Sequence, residues 1–188
     1  MDPKKLRKQY MQCLPQLNKA LRCVRSQLSD LPPSEFELET NVKPYVSVKR
    51  KMQENKAKHP TELSDLVRGR IFFSDQFEHK DALDILQQLF GDKIKNVDKN
   101  TSKSTEHGLE YLGIMHIDLD LDGVNFELQV MPAEFKPYKE FLHGIYEKLR
   151  DEKTRNKLSD KQKELLRKVH NNLYKKLNDL AHKNRSND

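Results

Sequence analysis

Three stretches of this chain gather residues that can handle charge. The first is Lys43-Pro-Tyr-Val-Ser47-Val-Lys49-Arg50-Lys51. A predicted strand delivers Lys43, and a short basic helix predicted from Ser47 to about Lys58 projects Arg50 and Lys51. Cations converging at a helix N-terminus suit a polyphosphate, because free amide donors and the helix dipole add to their charge. The same residues also read as a solvated basic helix face. The second stretch is Asp65-Leu-Val-Arg68-Gly-Arg70-Ile-Phe-Phe. Arg68 and Arg70 share one face because strand side chains alternate. Charges on a strand otherwise built of Ile and Phe are costly unless paired or used. An Asp65–Arg70 ion pair at a strand end is the structural alternative.

The third stretch is Asp118-Leu-Asp120-Leu-Asp122-Gly-Val-Asn125-Phe-Glu127-Leu-Gln129. It opens like a calcium loop, but the twelfth position is Gln129 rather than Glu and the flanks are strand-like. The better reading is a strand with acids on its wet face, a turn, and a return strand carrying Glu127 and Gln129. Glu127 and Asp65 can then meet across neighbouring strands. Two carboxylates beside clustered cations suit a divalent metal with a triphosphate. Tyr111 and His116 lie before and on the outgoing strand, where spacing alone makes them core and structural residues. Other chemistries lack their signatures. There is no zinc spacing, no phosphate-binding glycine loop or dinucleotide fingerprint in a chain with only six Gly, and no nucleophile motif at Ser34 or Ser64.

These residues need a scaffold, and the periodicity supplies one. A helix is predicted over 3–29, with Asp2 as N-cap, Pro3 at the first position and a kink or break at Pro15. Strands are predicted over 36–42, 66–73, 93–99, 114–121 and 124–130, the last two joined by an Asp122-Gly123 hairpin turn. Helices are expected over 77–90, 132–150 and 159–182, the last opened by a Ser159/Gln162 capping box. In the helix over 132–150, Phe135, Tyr138, Phe141, Leu142, Ile145, Tyr146 and Leu149 fall on one side. Residues 100–107 read as a polar loop. The expected fold is α/β (α+β): a mixed, twisted five-stranded sheet flanked by helices, with helices at both ends of the chain.

The length of 188 residues fits one domain. No apolar run approaches a membrane span, and the opening residues show no signal peptide. Cys13 and Cys23 lie about 15 Å apart on one helix, too far for a disulfide, so a reducing, cytoplasmic compartment is expected. The net charge of +6 is unevenly held: residues 1–147 carry −1 and residues 148–188 carry +7.

In order, these stretches resemble the synthetase domain of the RelA/SpoT family, a branch of the nucleotidyltransferase superfamily. The family runs Lys-x(3)-Ser-x(2)-Arg/Lys-Lys, Asp-Leu-x(3)-Arg-Ile/Val, Gly-Tyr…His and Glu-x-Gln. Here these are Lys43, Ser47, Arg50 and Lys51; Asp65, Leu66, Arg70 and Ile71; Tyr111 and His116; Glu127 and Gln129. The resemblance covers roughly residues 36–150, leaving 1–35 as an N-terminal helical region and 151–188 as a basic C-terminal helix. It implies that ATP is held by Lys43, Ser47, Arg50, Lys51 and Arg70. It further implies that Asp65 and Glu127 bind Mg2+, with Glu127 as candidate base. Tyr111, His116 and Gln129 would serve the acceptor, a guanine nucleotide whose 3′-hydroxyl takes the β,γ-pyrophosphate.

The chain departs from the family where an arginine usually stands two before Lys43. That position is Asn41, and Arg68 is the residue available to replace the arginine against adenine. Tyr111 to His116 is one residue longer than usual, and Met131-Pro132 stands where a basic residue commonly follows Glu-x-Gln. No companion hydrolase or regulatory domain fits in this length. Alternatives are transfer to a tRNA 3′ end, or an inactive nucleotide- or RNA-binding module of the same fold. Either could use the basic C-terminal helix on RNA.

Overall fold

The computed structural model describes residues 2–63, 65–99, 102–105 and 107–185, without the side chains of 102–104, 111, 112, 184 and 185. Ser64 and the side chain of Tyr111 therefore lie outside the described residues. The first helix, α1 (Pro3–Leu28), is capped by the Asp2 carboxylate, which accepts from the Lys4 amide at 2.9 Å. It runs unbroken through Pro15. Pro15 sits on the exposed side of the helix, so water can serve the carbonyl that its missing N–H leaves free. The buried stripe of Leu6, Tyr10, Cys13, Leu17, Ala20, Val24 and Leu28 continues on both sides of it.

Next come β1 (Phe36–Val42), α2 (Tyr45–Glu54), β2 (Val67–Phe73), α3 (His79–Phe90) and β3 (Ile94–Asp98). After them follow β4 (Ser102–Ser104), β5 (Glu110–Leu112), β6 (Met115–Leu121) and β7 (Val124–Pro132), then α4 (Lys139–Arg150), α5 (Glu152–Arg155) and α6 (Asp160–Arg185). The main sheet has five strands in the order β1-β2-β7-β6-β3. It is mixed: β2 and β7 run parallel, while β1–β2, β6–β7 and β3–β6 are antiparallel. Asp122 and Gly123 both take positive φ, 55° and 79°, as a tight hairpin turn of that twist requires. The hairpin tip is held to α1 by a Lys19–Asp122 ion pair of 2.8 Å.

Several boundaries differ from the sequence expectation. Pro44 serves as N-cap of α2, so the helix starts two residues before Ser47, which sits within its first turn, and it ends at Glu54 rather than near Lys58. The expected polar loop contains β4, which pairs with β5 in a separate two-stranded sheet. Pro137 confines residues 133–138 to a 3₁₀ turn before α4 begins. Phe135, Leu142, Ile145 and Leu149 are buried as expected, whereas Tyr138 and Phe141, next to this turn, are exposed.

One sheet face is apolar and packs on α1 and α3 through Val67, Ile71, Ile117, Leu119, Phe126, Leu128 and Val130. A second core joins Phe72, Ile114, Met131, Phe135 and Leu142 to Tyr174 and Leu177 of α6. The basic C-terminal helix is thus packed into the molecule. Its expected capping box is present: Gln162 Oε1 accepts from the Ser159 amide at 2.8 Å, and Ser159 Oγ from the Gln162 amide at 3.2 Å. Gly113 allows the close approach of α6, because its φ is 74° and an added Cβ would lie 3.0 Å from Asn178 Oδ1 and 3.1 Å from Phe135. We expect Tyr174→Ala to lower stability by about 3–5 kcal/mol, as for other large aromatic truncations in cores. A denaturant titration with an unchanged midpoint would show that α6 is not part of the core. No helix among the described residues is long and apolar enough to cross a membrane.

Candidate functional site

The opposite sheet face carries two polar rows, and the strand register sets them. The first runs Asn41, Arg68, Glu127, Asp118, Asn96 across the five strands; the second runs Glu39, Arg70, Gln129, His116, Asp98. Such rows arise because the period of two puts every second residue on this side. The parallel β2–β7 pairing aligns Arg68 with Glu127 and Arg70 with Gln129.

At the edge of these rows lies a buried charge cluster. Lys43 leaves the end of β1, Lys51 projects from α2, and Asp65 stands just before β2. Both ammonium groups reach the same carboxylate oxygen, Asp65 Oδ2, at 2.5 Å. The three side chains are only 12%, 24% and 10% exposed, so these pairs are not ordinary surface salt bridges. The Lys43 amide donates to the Leu66 carbonyl at 2.8 Å, which fixes the Lys43 backbone against the segment holding Asp65. Burial alone would raise the Asp65 carboxyl, but the hydrogen bonds from Lys43 and Lys51 outweigh it and hold the group below the usual carboxylate range. Burial, helped by repulsion from Lys51 and Arg68, holds Lys43 below the usual lysine value despite its bond to Asp65. Asp65 Oδ1 is buried with no hydrogen-bond partner.

Asp65 thus pairs with lysines rather than with Arg70. Arg70, 17% exposed, donates through Nε to Gln129 Oε1 at 3.3 Å and lies 3.7 Å from Glu140. Gln129 in turn donates to Glu127 Oε1 at 3.0 Å, which orients that carboxylate. Arg68 Nε donates to Asn41 Oδ1 at 3.2 Å, so the residue standing in for the usual arginine positions its neighbour. A cleft of about 280 Å³ opens over these strands, with Glu39, Asn41, Arg68, Arg70 and Glu140 among its lining residues. Ser47 lies half-buried in the first turn of α2. Arg50 is directed elsewhere, to Glu147 at 3.1 Å and Glu54 at 3.6 Å. His116 is half-buried beside Gln129 in the second row, and the Tyr111 backbone pairs with Lys103 in the small sheet.

The structure adds three residues that the sequence reading left out: Glu140, His143 and Glu147, on one face of α4. Burial lowers the His143 pKa, with Glu147 opposing and Arg68 and Arg70 reinforcing the shift. Their spacing of three and four residues marks a single helix face. That spacing was the available signal, but a polar helix stripe reads as solvent-facing until the sheet it overlooks is known.

As donors for a divalent cation, Asp65 and Glu127 are suitable in kind. Magnesium takes one or two carboxylates and completes its octahedron with waters and substrate phosphates, and Asp65 Oδ1 is a hard oxygen without a partner. Among the described residues, no three His, Cys, Asp or Glu side chains gather into a closed metal cage.

The site thus combines cations from β1, α2 and β2 with Asp65 before β2 and Glu127 on β7, on one side of a mixed sheet. Solved structures share this fold. The small alarmone synthetase 1 from Bacillus subtilis bound to its product pppGpp matches with a TM-score of 0.57 at 17% identity, covering 95% of this chain and 93% of that one. The same synthetase bound to AMPCPP matches at 0.52 and 18% identity, over 95% and 92% of the two chains. The type VI effector Tas1, solved with its immunity protein, matches at 0.52 and 16% identity, over 99% and 95%. No protein-family model matches the chain, and no curated protein matches it in sequence. At these identities the likeness is one of fold. The chain has the small alarmone synthetase fold over nearly its whole length, in a divergent sequence, as the motif resemblance led us to expect.

Proposed function

We propose that this chain is a RelA/SpoT-like pyrophosphokinase that moves the β,γ-pyrophosphate of ATP to the 3′-hydroxyl of a guanine nucleotide. The observation that carries this reading is the convergence of Lys43 and Lys51, from two different elements, on the buried Asp65 at the edge of the Arg68–Glu127 row. A buried ion cluster of this kind is an expensive way to stabilise a fold, and a good way to keep cations oriented for a polyphosphate.

In this reading Lys43, Lys51, Arg50 and Arg70 hold the triphosphate. Arg68, steadied by Asn41, offers its guanidinium plane to the adenine. Ser47 adds a hydroxyl near the helix start, and Gln129, His116 and Tyr111 serve the acceptor. Asp65 and Glu127 would hold Mg2+, which when bound neutralises charge on the transferred group. The acceptor 3′-oxygen bonds to the β-phosphorus, the bond from that phosphorus to the α,β-bridging oxygen breaks, and AMP leaves with its electron pair. Glu127 accepts the hydroxyl proton. Positioning and charge neutralisation supply most of the rate. Incubation with γ-labelled ATP and a panel of GDP, GTP, ATP and tRNA tests this reading. Label in a guanine nucleotide supports it, and label in none of the acceptors removes the enzyme assignment.

One observation favours a second reading, with an RNA acceptor. Lys161, Lys168 and Lys175 are exposed on α6. Recurring every seven residues, they form a line of ammonium groups about 10.5 Å apart. Phosphate contacts of this kind make binding salt-dependent. Because α6 is packed into the core, charge reversal tests it better than truncation. Combined Lys168→Glu and Lys175→Glu substitution should weaken tRNA binding severalfold in a filter-binding assay without changing the melting temperature. An unchanged affinity would leave the helix as a solvated face.

A further inference from the structure

Four cations assigned to phosphate, Lys43, Lys51, Arg50 and Arg70, each already face a carboxylate. Lys43 and Lys51 share Asp65, which the proposed function uses. The partners of Arg50 and Arg70 are different: they come mainly from α4, and the proposed chemistry has no use for them. Glu147 Oε2 lies 3.1 Å from Arg50 Nη1, and Glu140 Oε1 lies 3.7 Å from Arg70 Nη1. Glu140 is 75% exposed, so its hold on Arg70 is screened.

Glu147 is more firmly placed. It belongs to a square of charges that ties α2 to α4. Arg50 reaches Glu147 and Glu54, and Arg150 reaches Glu54 at 2.7 Å and Glu147 at 3.7 Å. His143 Nε2 lies 3.9 Å from its second oxygen. The Arg50 and Glu147 side chains are 40% and 32% exposed, so a stronger anion arriving from solvent can reach and replace the pair.

We infer that Glu147 is a specificity-determining residue: it occupies Arg50 as a stand-in for phosphate and yields only to a ligand whose phosphate chain extends far enough to take its place. This rests on the reading of Arg50 as a phosphate ligand. A triphosphate offers several charged oxygens against one carboxylate, and displaces it. A monophosphate does not reach Arg50 and gains nothing from it. The carboxylate, once displaced, still repels the incoming anion, so the site holds its long ligand less tightly than its cations alone would allow.

A purely structural Glu147 and a phosphate stand-in predict opposite signs. If Glu147 only braces α2 against α4, its neutralisation loosens Arg50 and weakens binding. If it stands in for phosphate, neutralisation strengthens binding, and only for long phosphate chains. The test is calorimetric titration of the full chain with AMPCPP, inorganic tripolyphosphate and AMP, for the native protein, Glu147→Gln, Glu147→Ala and Glu147→Asp. Glu147→Gln and Glu147→Ala are expected to bind AMPCPP and tripolyphosphate two- to fivefold more tightly, the range set by a half-exposed ion pair. AMP affinity stays unchanged, and Glu147→Asp, which keeps the charge, stays near native. Equal or weaker binding of both long ligands by folded Glu147→Gln or Glu147→Ala overturns the inference. If AMPCPP binds none of the proteins while tripolyphosphate binding still tightens, the ATP reading falls and the role of Glu147 stands.

Discussion

Asp65→Asn is expected to abolish turnover and to lower stability by about 3–4 kcal/mol, the lower part of the range for breaking a buried pair. The carboxylate balances two ammonium groups that solvent hardly reaches, with Lys43 only 12% exposed. A neutral amide of the same shape leaves them repelling each other across a shared acceptor. The loss of stability can be traced to that repulsion. Adding Lys43→Met to Asp65→Asn should restore part of the melting temperature, because it removes one uncompensated charge, while leaving turnover at zero. A double-mutant cycle isolates the coupling between the two sites. A fully native melting temperature in Asp65→Asn would show that the cluster contributes nothing to the fold.

Glu127→Gln separates chemistry from folding. Glu127 is half-buried and accepts one hydrogen bond from Gln129. An amide of equal size can take over that contact after rotation, so stability should change by less than ~1 kcal/mol. Turnover should fall about 10²–10⁴-fold, the range for removal of a general base. The loss should fall mainly on kcat, and the Mg2+ concentration needed for half-maximal turnover should rise, because Glu127 is also read as a metal donor. Native kcat in the folded variant would remove Glu127 from the chemistry.

Much of this site could be read in the chain itself, for identifiable reasons. Lys43, Lys51 and Asp65 lie within one short stretch of sequence, so a strand, a helix and a strand start suffice to bring them together. The Asp122-Gly123 turn fixes the β6–β7 register, and with it the position of Glu127. Arg50 was legible as a residue but not by its nearer contact, since Glu147 lies on α4, nearly a hundred residues away. The same holds for Glu140, His143 and Glu147. A 3.6-residue period locates a helix face, but nothing in it says which sheet that face will overlook. Of the side expected to be buried over 132–150, Phe135, Leu142, Ile145 and Leu149 are buried, and Tyr138 and Phe141 depart from it next to the 3₁₀ turn around Pro137. The strands β4 and β5 were missed in part because three residues each are too few to show alternation. The charge balance also changed in meaning: the +7 of residues 148–188 belongs largely to the outer face of a helix whose inner face helps to build the core.

The central claim is that a pyrophosphoryl group, intact, is what this site transfers. The most direct measurement is the ratio of AMP formed to label acquired when γ-labelled ATP is incubated with GDP or GTP and Mg2+. The expected result is one AMP for each labelled guanine nucleotide, with no free pyrophosphate and no ADP. Pyrophosphate release with AMP joined to the acceptor, or ADP as the co-product, would contradict the account by assigning the same cations and carboxylates to a different bond of ATP.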